Sequence, residues 1–166
     1  MNSLYEWVVF LHILGVFGFL FAHGTSAFVT FRLKAERDVE RIRSLLDLSF
    51  SVALFTRVSL LVLLLAGIAL GFMGGWWGHG WIWTALVLFI VISVSMGPLA
   101  QGGFMQLRGL TNARGPKKGQ TGEGPADEVD EKQIEAAAAK LQPVALTAVG
   151  LGGIAIILWL MMFKPF

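Results

Sequence analysis

Four stretches of this chain are apolar over a length that approaches or exceeds the roughly 20 residues a helix needs to cross about 30 Å of hydrocarbon. They run from Trp7 to Phe31, from Val58 to Met73 with an amphipathic lead-in that starts at Phe50, from Trp81 to Ala100, and from Pro143 to Phe163. Alternation of apolar and polar residues with period two is absent, which argues against a β-barrel. In lipid every backbone N–H and C=O must pair within its own segment, so the spans are expected to be helices. Composition agrees. Only 14% of the 166 residues are charged and 55% are hydrophobic, whereas a soluble domain carries about 25% charge. The expected fold class is all-α: a polytopic membrane protein folded as one domain, an antiparallel four-helix transmembrane bundle over residues 1–166.

The first span is read as a retained helix. The residues before it, Met1 to Glu6, hold no basic residue, and its apolar run exceeds the 7–15 residues of a signal-peptide core. Orientation follows from lysine and arginine, which gather in cytoplasmic loops. Loop 32–49 holds Arg32, Lys34, Arg37, Arg41 and Arg43, and loop 101–142 holds Arg108, Arg114, Lys117, Lys118, Lys132 and Lys140. The connection Gly74 to Gly80 holds none, and Lys164 alone follows the fourth span. Both basic loops are therefore expected in the cytoplasm and both termini outside, in an inner or plasma membrane. Trp76, Trp77, Trp81 and Trp83 would form an outer aromatic belt, with Tyr5, Trp7 and Trp159 near the same level.

Loop 32–49 reads as helix continuing past the membrane, against acidic headgroups, a partner or simply solvent. In the second loop, Asn112 to Pro125 reads as a flexible Gly/Pro/Lys linker and Asp127 to Leu141 as a good helix former leading into Pro143. Pro98, after Gly97, is expected to kink or end the third helix. Arg57, at the inner entrance of the second span, is expected to snorkel to the interface, against Asp47 or else against a propionate or phosphate.

Small residues let helices approach closely in lipid. Gly67, Gly71 and Gly75 mark one face of the second span, Gly15 and Gly18 the first, and Gly150, Gly152 and Gly153 the fourth. No Asp or Glu lies within a span, which disfavours proton- or cation-coupled transport. The unusual polar groups are His12 and His23 of the first helix. Their spacing of 11 residues falls within about 20° of three full turns, so they share a face and stand about 16 Å apart along the axis. Gly15, Phe19 and Ser26 lie on the same stripe.

Three readings of the histidines stay open. Each can be neutral and hydrogen-bonded to a hydroxyl or carbonyl of a neighbouring helix, such as Thr84, Ser93 or Ser95. They can be axial ligands of a b-type haem. They can also hold copper or another metal together with methionine. Met96, Met105 and His79 are candidate second ligands, and a second copy of the chain could supply another histidine. With no cysteine there is no thiolate site. Phosphate-binding loops, HExxH and Ser/His/Asp sets are absent, no catalytic grouping stands out, and the basic loops lack the aromatic interleaving of nucleic-acid binders.

The segment Leu11-His12-Ile13-Leu14-Gly15-Val16-Phe17-Gly18 resembles the opening helix of a bacterial membrane superfamily. That superfamily includes the copper-resistance protein CopD, the protoporphyrinogen oxidase HemJ, and a four-span family of predicted integral membrane proteins that looks closest. The resemblance implies that His12 matches a histidine expected to ligate haem in the haem-linked members. Those members also carry a lysine early in the third helix, shortly after a tryptophan. In Trp81-Ile82-Trp83-Thr84-Ala85-Leu86 that place falls near Ala85, a departure that argues against protoporphyrinogen oxidation. His23 is not part of the matching motif.

The sequence thus supports two roles of different kinds. One is a haem-b-associated or redox-accessory membrane protein using His12 and His23. The other is a non-catalytic subunit or scaffold whose partners are membrane proteins or further copies of itself. A copper or small-molecule permease is the weaker third, because the spans lack a ladder of polar residues.

Overall fold

A computed structural model describes residues 3–111 and 131–166. Arg114, Lys117, Lys118 and the linker at 112–125 lie outside the described residues. Among the described residues there are only helices and turns, and four of the helices are long and apolar enough to cross a membrane.

Helix α1 spans Ser3–Ala35 and α2 spans Val39–Met73. They are joined by three residues, so loop 32–49 is almost entirely helical, as its pattern suggests. The break is made by short acids. The Asp38 carboxylate caps α2 by accepting the Arg41 N–H at 2.9 Å, the usual service of an N-cap residue. The Glu36 carboxylate accepts the N–H groups of Arg37 and Asp38 at 3.0 and 3.2 Å. Those backbone hydrogen bonds, first that of Asp38, together with nearby Arg41, hold the Glu36 carboxyl below the ordinary glutamate range.

The return from α2 to α3 (Gly80–Thr111) runs through Gly75 and a single 3₁₀ turn over Trp76–Gly78. Gly75 has φ +66°, a left-handed backbone that only glycine adopts without cost. We call this the tryptophan end of the bundle. There Trp76 packs on Trp81 and Trp77 on Trp83, with ring centroids 5.7 and 5.3 Å apart. Trp81 departs from the expected belt, because it is only 3% exposed and packs beneath its neighbours. The Lys164 ammonium stands 4.5 Å from the Trp76 ring centroid, and the Trp81 N–H donates to the Phe166 carbonyl at 3.2 Å. The end of α5 (Pro143–Phe163) is thereby tied to the turn.

α3 does not stop at Pro98. The missing N–H removes one bond, to the carbonyl four residues earlier, and the helix continues to Thr111. The spans are accordingly shorter than the helices that contain them. α4 (Glu131–Ala139) covers the opposite, basic end, where Val29 and Leu33 of α1, Ile42 and Leu46 of α2, Leu107 of α3 and Ile134, Ala137 and Leu141 pack into one buried cluster. Basic side chains bind backbone carbonyls there. Arg43 Nε donates to the Thr111 carbonyl and Lys34 Nζ to the Leu141 carbonyl, both at 3.1 Å. Two of the basic residues therefore have structural duties beyond topology.

α1 packs mainly on α2, and α3 on α5. The α1–α2 seam is made by glycine. A Cβ placed on Gly15 would fall 2.9 Å from the Leu63 nitrogen, and one on Gly18 would fall 2.6 Å from Ser59 Oγ. α2 and α3 meet at their two ends, through Gly71 with Ile82 and Trp77 at the tryptophan end and through the buried cluster at the basic end. Between those contacts a cavity remains.

Candidate functional site

The cavity has a volume of about 680 Å³ and is walled by α1, α2, α3 and α5. That size lies within the range of about 300–1,000 Å³ typical of small-molecule sites. His12 and His23 line it from α1, and Met96 and Met105 from α3. His79, an exposed residue of the turn, is not part of the wall. Among the described residues, Arg57 and Arg108 are the charged residues of the wall, and no carboxylate lines it.

The two imidazoles share the stripe expected of them but have different surroundings. His12 Nδ1 lies 3.0 Å from the Leu63 carbonyl of α2. A carbonyl oxygen only accepts, so Nδ1 carries the hydrogen, and in the neutral ring Nε2 keeps its lone pair. Gly67 makes this approach possible. It stands one helical turn after Leu63, and a Cβ there would lie 3.2 Å from His12 Cε1. The ring therefore rests on a patch of bare backbone.

His23 is more deeply buried, at 6% exposure. Its ring stacks on Phe19, one turn earlier, with centroids 5.6 Å apart and planes within 6°. Its Nε2 presses against α5 at Gly150, where any Cβ would collide with it, and has no hydrogen-bond partner. The hydroxyls considered as partners are engaged elsewhere. Thr84 donates to the Gly80 carbonyl, Ser93 to Phe89 and Ser95 to Ile92, each within its own helix.

Arg57 and Asp47 do not form the expected ion pair. The ion pairs among the described residues are Arg41–Glu36 and Arg43–Glu40, both at the break between α1 and α2 or just beyond it. Arg108, read as a loop charge, instead belongs to the cavity wall, and its guanidinium lies 5.3 Å from the ring centroid of Phe50. Among the described residues no group of three His, Cys, Asp or Glu side chains converges to hold a metal ion.

Sequence reasoning located the histidines and glycines but not their pairing. Gly67 and Gly150 were legible only as small-residue faces, and the Leu63 carbonyl leaves no trace in a side-chain pattern. The continuation of α3 could have been noticed from Phe104 and Leu107, which keep the helical apolar spacing beyond Pro98.

The geometry defines a class: a small polytopic integral membrane protein, all helical, with an apolar intramembrane cavity bearing imidazole and guanidinium groups. The chain belongs to the DUF2269 family of predicted integral membrane proteins, whose model matches residues 6–165. No curated protein and no solved structure matches it.

Proposed function

We propose that the protein binds a b-type haem in this cavity, with His12 as axial ligand, and serves as a redox-accessory membrane protein. The observation that carries this reading is the His12 Nδ1 contact with the Leu63 carbonyl. A ligating histidine commonly gives its other ring N–H to a carbonyl, which fixes the tautomer and raises ligand basicity. The donor set also suits the group. The walls are mainly apolar, and among the described residues Arg57 and Arg108 are their charged groups, both cationic. A bound haem would supply one-electron chemistry.

His23 suits a ligand role less well, because its Nε2 faces the α5 backbone. One iron also cannot join both histidines, which stand about 16 Å apart along one helix. Met96 remains as a second candidate in the wall, whereas His79 stands outside it. Likeness to CopD and HemJ rests on the segment around His12.

The test is the visible spectrum of protein purified after expression with ample haem. A Soret band is expected, lost or shifted in His12→Ala and unchanged in His79→Ala. No band in the wild type, or an unaltered band in His12→Ala, would overturn the assignment.

We also infer that the basic end faces the cytoplasm of a plasma or inner membrane and the tryptophan end faces outward. Eleven of the thirteen basic residues fall in the two loops at the basic end. Single cysteines replacing Gly78 and Glu36 should label from opposite sides, Gly78→Cys from outside. Labelling of both from one side would refute the scheme.

A further inference from the structure

The cavity is open on the side between α2 and α3. Phe50 and Arg57 of α2, and Ser93 and Met105 of α3, line it while remaining exposed. In a bilayer that side looks onto lipid. Arg57 stands 16 residues from Met73, about 24 Å along α2, which brings it to the hydrocarbon boundary on the basic side of a core about 30 Å thick. It has no hydrogen-bond or ion-pair partner among the described residues. From that boundary a guanidinium reaches the headgroup level, where an anion or water meets it.

Side chains on a helix lean toward its N-terminus. Because α2 and α3 run in opposite directions, Arg57 leans toward the basic end and Arg108 leans back toward the membrane. Phe50, which carries the Arg108 guanidinium on its face, lies seven residues before Arg57, about 10 Å away on nearly the same helical face. The two cations therefore converge on one mouth. Below them the wall is apolar, with Leu60, Phe89 and Ile157.

We propose that this lateral mouth is a binding site for one acidic glycerophospholipid. Its phosphate would be held between Arg57 and Arg108, and an acyl chain would enter the cavity. Charge complementarity selects this occupant. Arg57, which has no hydrogen-bond or ion-pair partner among the described residues, stands with Arg108 at the mouth and suits an anionic headgroup, and their level matches the headgroup region of the leaflet. A zwitterionic lipid brings its own cation and gains less. The lipid would share this cavity and both arginines with the haem of the preceding reading, so the two occupants would exclude one another, although the His12 ring lies about 9 Å nearer the tryptophan end, at the level of Leu63.

The experiment reconstitutes the full chain in nanodiscs of phosphatidylglycerol or phosphatidylcholine and measures retained lipid by native mass spectrometry. One retained phosphatidylglycerol per chain is expected, with much less phosphatidylcholine. Arg57→Gln should lower retention about tenfold, which corresponds to about 1.4 kcal/mol. Arg57→Lys should keep most of it. Equal retention of both lipids by the wild type overturns the proposal without needing any variant to fold. Undiminished retention in Arg57→Gln overturns it as well. Measured on protein expressed without added haem, lipid retention does not depend on the haem reading and His12→Ala should leave it intact, so failure of one reading is distinguishable from failure of the other.

Discussion

The two ends of this bundle are held together by opposite means. At the basic end Leu33, Ile42 and Leu107 are each 0% exposed and interlock side chain to side chain, as in the core of a water-soluble protein. In the membrane half the helices touch backbone to backbone at Gly15, and large apolar side chains such as Phe17, Leu61 and Val94 point outward. The contrast follows from the solvent. Water expels leucine into a core, whereas lipid tails are as apolar as leucine and offer no such drive, which leaves close contact of small residues to hold helices together. A cavity is tolerated in the membrane half because dense side-chain packing is not what stabilises it.

Three substitutions probe the contrast. The largest effect is expected of Gly15→Val. The new side chain meets the Leu63 backbone nitrogen and Cα, at 2.9 and 3.0 Å even for its Cβ alone, and backbone cannot rotate away. The α1–α2 pair should part, with loss of a monodisperse bundle on size exclusion in mild detergent. Wild-type stability in that variant would mean that helix proximity contributes nothing here. Next is Leu33→Ala, which empties the buried cluster and should cost about 2–5 kcal/mol, read as a lower midpoint in SDS or thermal unfolding. Smallest is Leu61→Ala, on a residue 56% exposed, expected within about 0.5 kcal/mol of wild type. Equal effects at Leu33 and Leu61 would erase the distinction between the two ends.

The fold was legible in the chain because a membrane span declares itself by length and apolarity alone. The short, lysine-free connection around Gly78 was legible for similar local reasons, whereas the break at residues 36–38 was not, because loop 32–49 reads as continuing helix. What the pattern concealed was tertiary. Pro98 looks like a terminator, yet a single missing N–H does not stop a helix that carries on with Phe104 and Leu107. Trp81 looks like a belt residue, and its burial is decided by Trp76 and Lys164 folding over it. The candidate site was legible as His12, His23 and the glycine faces. Their pairing was not, because hydroxyls invite assignment as partners while an intrahelical serine or threonine satisfies itself on its own carbonyl three or four residues back. Recognition of Leu63 requires knowing which turn of α2 faces His12.

The sideways opening between α2 and α3 has a kinetic corollary. A compound arriving by that route must dissolve in the bilayer before it meets the protein, so its rate of entry follows its mole fraction among the lipids and not its molarity in water. Sparingly soluble amphiphiles would be concentrated at the doorway by partitioning alone, while hydrophilic metabolites, however abundant, would rarely reach it.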